Sequence, residues 1–157
     1  MPELRRGPTT DRWVIVAPER ARRPSDFAQK GSKLSEQPPA SCPFCSGNEH
    51  MTPGEIYRHP GAGNGSWKVR VVPNKFPALQ EYEDLGREAI AGFFDRMNGV
   101  GAHEVVIETP EHCQQIQDLP LREVEWIVET YIQRLTDLLK NPRFRYVLLF
   151  KNHGKEA

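Results

Sequence analysis

The chain has 157 residues, 38% of them hydrophobic, and its 21 basic and 21 acidic side chains cancel to zero net charge. That length fits one domain, which on folding hides about two thirds of its unfolded surface. The charge balance argues against a general nucleic-acid binder; no run of roughly 18 apolar residues offers a membrane span, and residues 1–6 are charged with no apolar stretch behind them, so a cytoplasmic protein is expected.

Eleven of the 14 prolines fall in the first 77 residues. Proline removes a ladder donor and fixes φ, so this half should be rich in loops and short strands. Residues 12–17 (RWVIVA) read as a first strand, ended by Pro18. Arg20-Ala21-Arg22-Arg23 follows it directly, and three arginines in four positions suit phosphate, because the guanidinium fork matches phosphate oxygens. The plain alternative is a solvated basic turn. Residues 25–40 read as a polar surface loop, and residues 59–66 (HPGAGNGS) as a glycine-rich turn.

Residues 67–72 (WKVRVV) alternate as a second strand, with Trp67, Val69 and Val71 on one face and Lys68 and Arg70 on the other. Pro73-Asn74-Lys75-Phe76-Pro77 comes next; its asparagine could bond a base or ribose, or make an Asx turn. A helix is expected over residues 86–97, sharing Ile90, Phe93 and Phe94 on one face. Residues 104–108 (EVVIE) and 145–150 (RYVLLF) read as further strands. Between them lies the clearest helix. Asp118 can cap it, Pro120 suits its first turn, and Val124, Ile127, Val128, Tyr131, Leu135 and Leu138 form one apolar stripe before Asn141-Pro142 ends it. Strands, then a helix, then a strand suggest an α+β fold with an antiparallel sheet.

The sharpest chemical signal is Cys42-Pro43-Phe44-Cys45. Two thiols at i and i+3 can face one metal, and zinc favours tetrahedral nitrogen and sulfur ligands. A redox pair is the rival, but such pairs open a helix after a strand, whereas these cysteines sit among prolines and glycine. Spacing alone leaves His103 and His112 both open as a third ligand, and offers no obvious fourth. P-loop, Gly-x-Ser-x-Gly and Gly-x-Gly-x-x-Gly motifs are absent.

Six segments in order resemble the galactose-1-phosphate uridylyltransferase family, a branch of the histidine-triad superfamily. They are TTDRWVIVAP at 9–18, RARRP at 20–24, CPFCSGN at 42–48, VPNKFPAL at 72–79, GAHEVVIETPEH at 101–112 and FKNHG at 150–154. Each is weak alone; together they cover nearly the whole chain. The resemblance implies a histidine-triad-like antiparallel sheet with flanking helices. It implies a zinc cofactor held by Cys42, Cys45 and His112, which decides against His103. Sugar-nucleotide contacts are implied for Arg20, Ala21, Arg22 and Arg23, for Met51 at the uridine pocket, for Asn74 and Lys75, and for Asn152 near the phosphates.

The implied reaction moves a nucleotide monophosphate between a sugar nucleotide and galactose 1-phosphate through a uridylyl-histidine, the covalent route that splits one displacement into two. The family is typically homodimeric. Two departures matter. Lys75 stands where the best-known members have an acidic residue, which leaves uridylyl and adenylyl transfer both open. The family's His-Pro-His-x-Gln motif, with the nucleophile and a fourth zinc ligand, does not occur in these 157 residues. The chain therefore reads as an N-terminal half-domain, residues 1–157, cut before that motif and inactive alone. The alternative is a zinc-stabilised nucleotide- or anion-binding module.

Overall fold

The structure, a computed structural model, describes residues 1–22, 38–60, 66–81, 84–112 and 114–152. In chain order its elements are strands β1 (Glu3–Arg6), β2 (Trp13–Val16), β3 (Tyr57–His59), β4 (Val69–Pro73), β5 (Glu88–Ile90), β6 (Phe94–Asn98) and β7 (Glu104–Ile107), then helix α1 (Leu121–Leu139). Short 3-10 turns cover Pro18–Arg22, Pro39–Ser41, Glu49–Met51 and Ile116–Asp118. The chain makes two compact units. One is Met1–Pro24 with Asn74–Glu104, the other Ser25–Pro73 with Val105–Ala157. The expected α+β class with antiparallel sheets holds.

The first unit is built on a four-stranded antiparallel sheet, ordered β2-β1-β6-β5. Its central β1 has no apolar alternation in sequence, yet Leu4 pairs with Ile15 on one side and Met97 on the other. Charged side chains tie the strands together. Arg96 bridges Glu88 at 2.6 Å and Glu3 at 3.5 Å, and Arg6 reaches Asp95 at 3.0 Å.

The helix expected over residues 86–97 is instead the β5–β6 hairpin, with Ile90 opposite Phe94. Ala91 and Gly92 both take positive φ, 51° and 74°, as tight hairpin turns require. The apolar spacing of Ile90, Phe93 and Phe94 fits both periods, and Gly92 was the turn signal that decided between them.

The second unit centres on a three-stranded sheet, ordered β3-β4-β7, with β3 and β4 antiparallel. All nine buried hydrophobic side chains among the described residues lie in this unit. Val69 packs with Leu119, Trp126 and Ile127, while Trp67, Val72 and Ile107 form a second cluster. Trp67 and Val69 therefore do not share a face as the alternation suggested; Trp67 precedes the strand and packs with Val72. Arg70 is buried too, its guanidinium 5.3 Å over the Trp67 ring and bonded to Glu55 Oε2 at 3.2 Å and Thr52 Oγ1 at 3.1 Å. Pairing makes that buried charge tolerable.

Helix α1 turns the expected stripe inward. Ile127 is fully buried and Val124 and Tyr131 pack against the same cluster, but Val128 at the stripe's margin is half exposed. Burying one such branched aliphatic side chain contributes about 1.5–3 kcal/mol. The helix begins two residues later than expected. Pro120 is its N-cap with extended backbone, and Asp118 sits in the preceding 3-10 turn without capping it. Glu123 in the first turn complements the helix dipole.

Residues 145–150 form no strand among the described residues, and Tyr146, Leu148 and Phe150 are well exposed there. Propensity supplies side chains that suit a pleat, but a strand exists only through ladder bonds to a neighbour. The expected loop at 25–40 and turn at 59–66 fall largely outside the described residues; within them, His59 ends β3 and Pro39–Ser41 is a 3-10 turn.

Candidate functional site

In the second unit, Cys42, Cys45 and His112 bring one ligand atom each to within 4.8 Å of one another. Local bonds explain the cysteine knuckle. Cys45 N–H donates to Cys42 O at 3.3 Å, Asn48 N–H to Cys45 O at 3.2 Å, and the Asn48 amide to Cys42 O at 2.8 Å. Gly47 completes the turn at φ +92°, a left-handed conformation that favours glycine. The knuckle is fastened to the turn after β7 by Ser46 N–H donating to Pro110 O at 3.3 Å. That turn carries His112, whose Nδ1 stands 3.1 Å from Cys45 Sγ.

Two thiols and an imidazole are a donor set that zinc prefers. Tetrahedral zinc with its usual bond lengths separates sulfur from nitrogen by about 3.5 Å and sulfur from sulfur by about 3.8 Å. The observed 3.1 Å between Cys45 Sγ and His112 Nδ1 would open by a few tenths of an ångström to admit it. His112 Nε2 is buried and has no hydrogen-bond partner among the described residues. The group comprises three residues among those described, with no fourth protein ligand beside them.

The first unit gathers a second set. The turn after β4 is pinned at several atoms. Asn74 Oδ1 accepts Phe76 N–H at 2.8 Å, the Asx turn allowed by the sequence. Arg20 Nη1 donates to Phe76 O at 2.9 Å, so one arginine of the strand-end run lies against the turn. Arg20 itself is placed by the 3-10 turn Pro18–Arg22, its N–H bonded to Ala17 O at 3.0 Å. Lys75 is exposed between these fixed points. A guanidinium has five donors, so the bond to Phe76 O leaves Arg20 able to take an anion as well.

The other expected residues are placed as follows. Ala21 is exposed, Arg22 ends the 3-10 turn, and Arg23 lies outside the described residues. Met51, partly exposed, closes the turn Glu49–Met51 in the second unit. Asn152 is exposed in that unit too, just after Lys151, which bonds the Glu108 carboxylate. Glu108 also accepts the Tyr131 hydroxyl, and this contact together with burial pushes the tyrosine well above its ordinary value, burial being the larger cause.

Sequence reasoning missed two residues. Glu49 accepts the Trp67 indole N–H at 2.6 Å and the Gly47 amide at 3.2 Å, bracing the knuckle. Only its place two residues after Gly47 hinted at this. His103, weighed as a metal ligand, instead holds the Asn74 turn; its position before β7 gave no sign of that partner.

The whole chain, residues 1–157, matches the family described as galactose-1-phosphate uridyl transferase, N-terminal domain. It is 38% identical to the ADP-glucose phosphorylase of Arabidopsis thaliana, covering 99% of this chain and 44% of that protein. It is 28% identical to the galactose-1-phosphate uridylyltransferase of Thermotoga maritima, covering 100% of this chain and 42% of that protein. Among solved structures, the Arabidopsis thaliana ADP-glucose phosphorylase with bound ADP-glucose superposes with a TM-score of 0.54 at 35% identity, over 90% of this chain and 39% of that one. A uridylyltransferase structure superposes with a TM-score of 0.59 at 26% identity, over 92% of this chain and 37% of that one. The chain thus spans less than half the length of these relatives.

Proposed function

This chain belongs to the galactose-1-phosphate uridyl transferase family, and from that premise we propose that it is the N-terminal domain of an enzyme moving a nucleotide monophosphate between a sugar nucleotide and a hexose 1-phosphate. The observation that carries this reading is the bond from Arg20 to Phe76 O, which sets a phosphate-suited arginine against the Asn74–Lys75 turn. In this reading Arg20, Ala21, Arg22 and Arg23 contact the sugar-nucleotide phosphates, and the family resemblance separately assigns Asn152 a phosphate contact. Asn74 and Lys75 meet the nucleotide, and Met51 lines the base. Positioned cations suit this work because charge spreads over the phosphoryl oxygens during transfer.

The proposed transfer runs in two displacements. A histidine nitrogen bonds to the α-phosphorus as the bond to the outgoing hexose 1-phosphate breaks; a second hexose 1-phosphate oxygen then takes the nucleotidyl group and frees the histidine. No residue among these 157 is assigned as that histidine. Cys42, Cys45 and His112 would hold zinc, which when bound supplies a structural crosslink between the knuckle and the turn after β7. The whole enzyme would act as a homodimer, as the family resemblance implies.

A second reading concerns the nucleotide alone. The 38% identity to a protein named ADP-glucose phosphorylase, against 28% to a named uridylyltransferase, favours an adenylyl group. Lys75, where the best-known uridylyltransferases carry an acidic residue, leaves both nucleotides open.

The test is a calorimetric titration of the chain with ADP-glucose, UDP-glucose and inorganic phosphate. Binding of either sugar nucleotide at least tenfold tighter than phosphate, weakened by Arg20→Ala by about 1.5–3 kcal/mol, is the expected result. Equal affinity for all three would leave an anion-binding module instead. The tighter of the two sugar nucleotides identifies the base.

A further inference from the structure

His103 makes more defined contacts with the Asn74 turn than its place on a neighbouring strand end would suggest. Its backbone O accepts Asn74 N–H at 2.8 Å, and its ring Nδ1 accepts Ala78 N–H at 2.8 Å. Nε2 stands 3.2 Å from Asn74 Nδ2. One residue therefore holds both ends of the turn and touches the asparagine side chain from a distance of 29 positions.

The contacts also fix the ring's chemistry. A backbone N–H only donates, so Nδ1 carries no proton and the ring proton sits on Nε2. Asn74 Oδ1 is turned to Phe76 N–H, so the amide nitrogen faces Nε2; two donors make no hydrogen bond, and the ring's hold on the turn is the Ala78 bond. The downstream side of the turn is held separately. Gln80 N–H donates to Gly99 O and Gly101 N–H to Gln80 O, both at 2.8 Å, and a Cβ on Gly101 would meet Leu79 Cδ1 at 2.8 Å. The backbone on that side stays in place without the histidine, and the segment at stake is Asn74 to Ala78.

We infer that His103 is a positioning residue: its imidazole Nδ1 holds Ala78 N–H and thereby fixes the far end of the turn, so that Asn74 and Lys75 are presented to the nucleoside part of the ligand. The inference rests on the nucleotide reading of this turn given above. It predicts a selective effect. Plain phosphate, held by arginines, should be indifferent to His103, whereas a nucleotide that also meets the turn should not.

The experiment uses the 157-residue chain with His103→Leu and His103→Asn. Asparagine can put its oxygen where Nδ1 sits and keep the acceptor; leucine cannot. NMR gives exchange of the Ala78 amide, and titrations with AMP, UMP and inorganic phosphate give affinities. In the leucine variant, Ala78 should exchange at least about tenfold faster, and the better-bound nucleotide should weaken about tenfold with phosphate unchanged. The asparagine variant should restore most of both. Unchanged Ala78 exchange in the leucine variant would overturn the inference, as would an asparagine variant as impaired as the leucine one. Equal loss of phosphate and nucleotide binding would also overturn it, since that marks general damage. Should the unmodified chain bind neither nucleotide, the nucleotide reading and the presentation of Asn74 and Lys75 both fall, while the amide exchange still decides whether His103 holds the turn.

Discussion

Trp67 Nε1 donates to Glu49 Oε1 at 2.6 Å, and the same oxygen accepts the Gly47 amide. A core indole is thereby joined to the cysteine knuckle through one carboxylate. The indole bond, chiefly, holds that carboxyl down at about 2, well below its ordinary 4.5. A depressed carboxylate stabilises the fold fully above its unfolded value and loses that contribution as pH falls through the folded one. The urea midpoint should therefore drop between pH 4.5 and 2. The Glu49→Gln variant should be less stable at neutral pH and lose less on acidification. Other depressed carboxylates also act in this range, so the quantity to measure is the gap between the two proteins. A gap constant from pH 7 to pH 2 would be inconsistent with this account.

Gly47 has φ +92° and open space around the position a Cβ would take. Gly47→Ala should therefore cost only the backbone penalty, about 1–2 kcal/mol, without a clash. Chemical denaturation measures it. A neutral substitution would show that the knuckle relaxes to another turn.

Cys45→Ser or His112→Ala should reduce bound zinc from about one per chain to near none, by elemental analysis after metal-buffered dialysis. With three ligands the ion should also leave the unmodified chain under mild chelation, lowering its melting temperature. Zinc that resisted chelation would require a further protein ligand closing the site.

The two units should differ in stability. Among the described residues, the nine buried hydrophobic side chains all lie in the second unit, while the first buries Pro2 and is laced by exposed ion pairs worth about 0–1 kcal/mol each. Amide exchange should be faster in β1, β2, β5 and β6 than in β4 and α1. Ile127→Ala, at a fully buried site, should cost about 2–5 kcal/mol. Ile132→Ala, on the exposed face of the same helix, should stay within about 0.5 kcal/mol.

Much of the fold was legible where information is local. Helix α1 announced itself through a 3.6-residue apolar period, and β2, β4 and β7 through β-branched runs ended by proline or charge. The knuckle was legible too, because two cysteines three apart constrain their own sulfurs whatever surrounds them. Strand β1 was not, since ELRR has no alternation and becomes a strand only by lying between β2 and β6. The β5–β6 hairpin was not legible either, because three apolar residues in five fit a helix face as well as a turn.

The family and the α+β class could be read from the residues alone, as could candidates for holding zinc or phosphate, because those follow from side-chain chemistry and short spacings. Which partners those residues meet came from the folded arrangement. It set His112 beside Cys45 across 67 positions, Arg20 against Phe76 across 56, and His103 against Asn74 and Ala78. Such contacts are settled by strand order and turn geometry, and these depend on pairings between segments that no local pattern encodes.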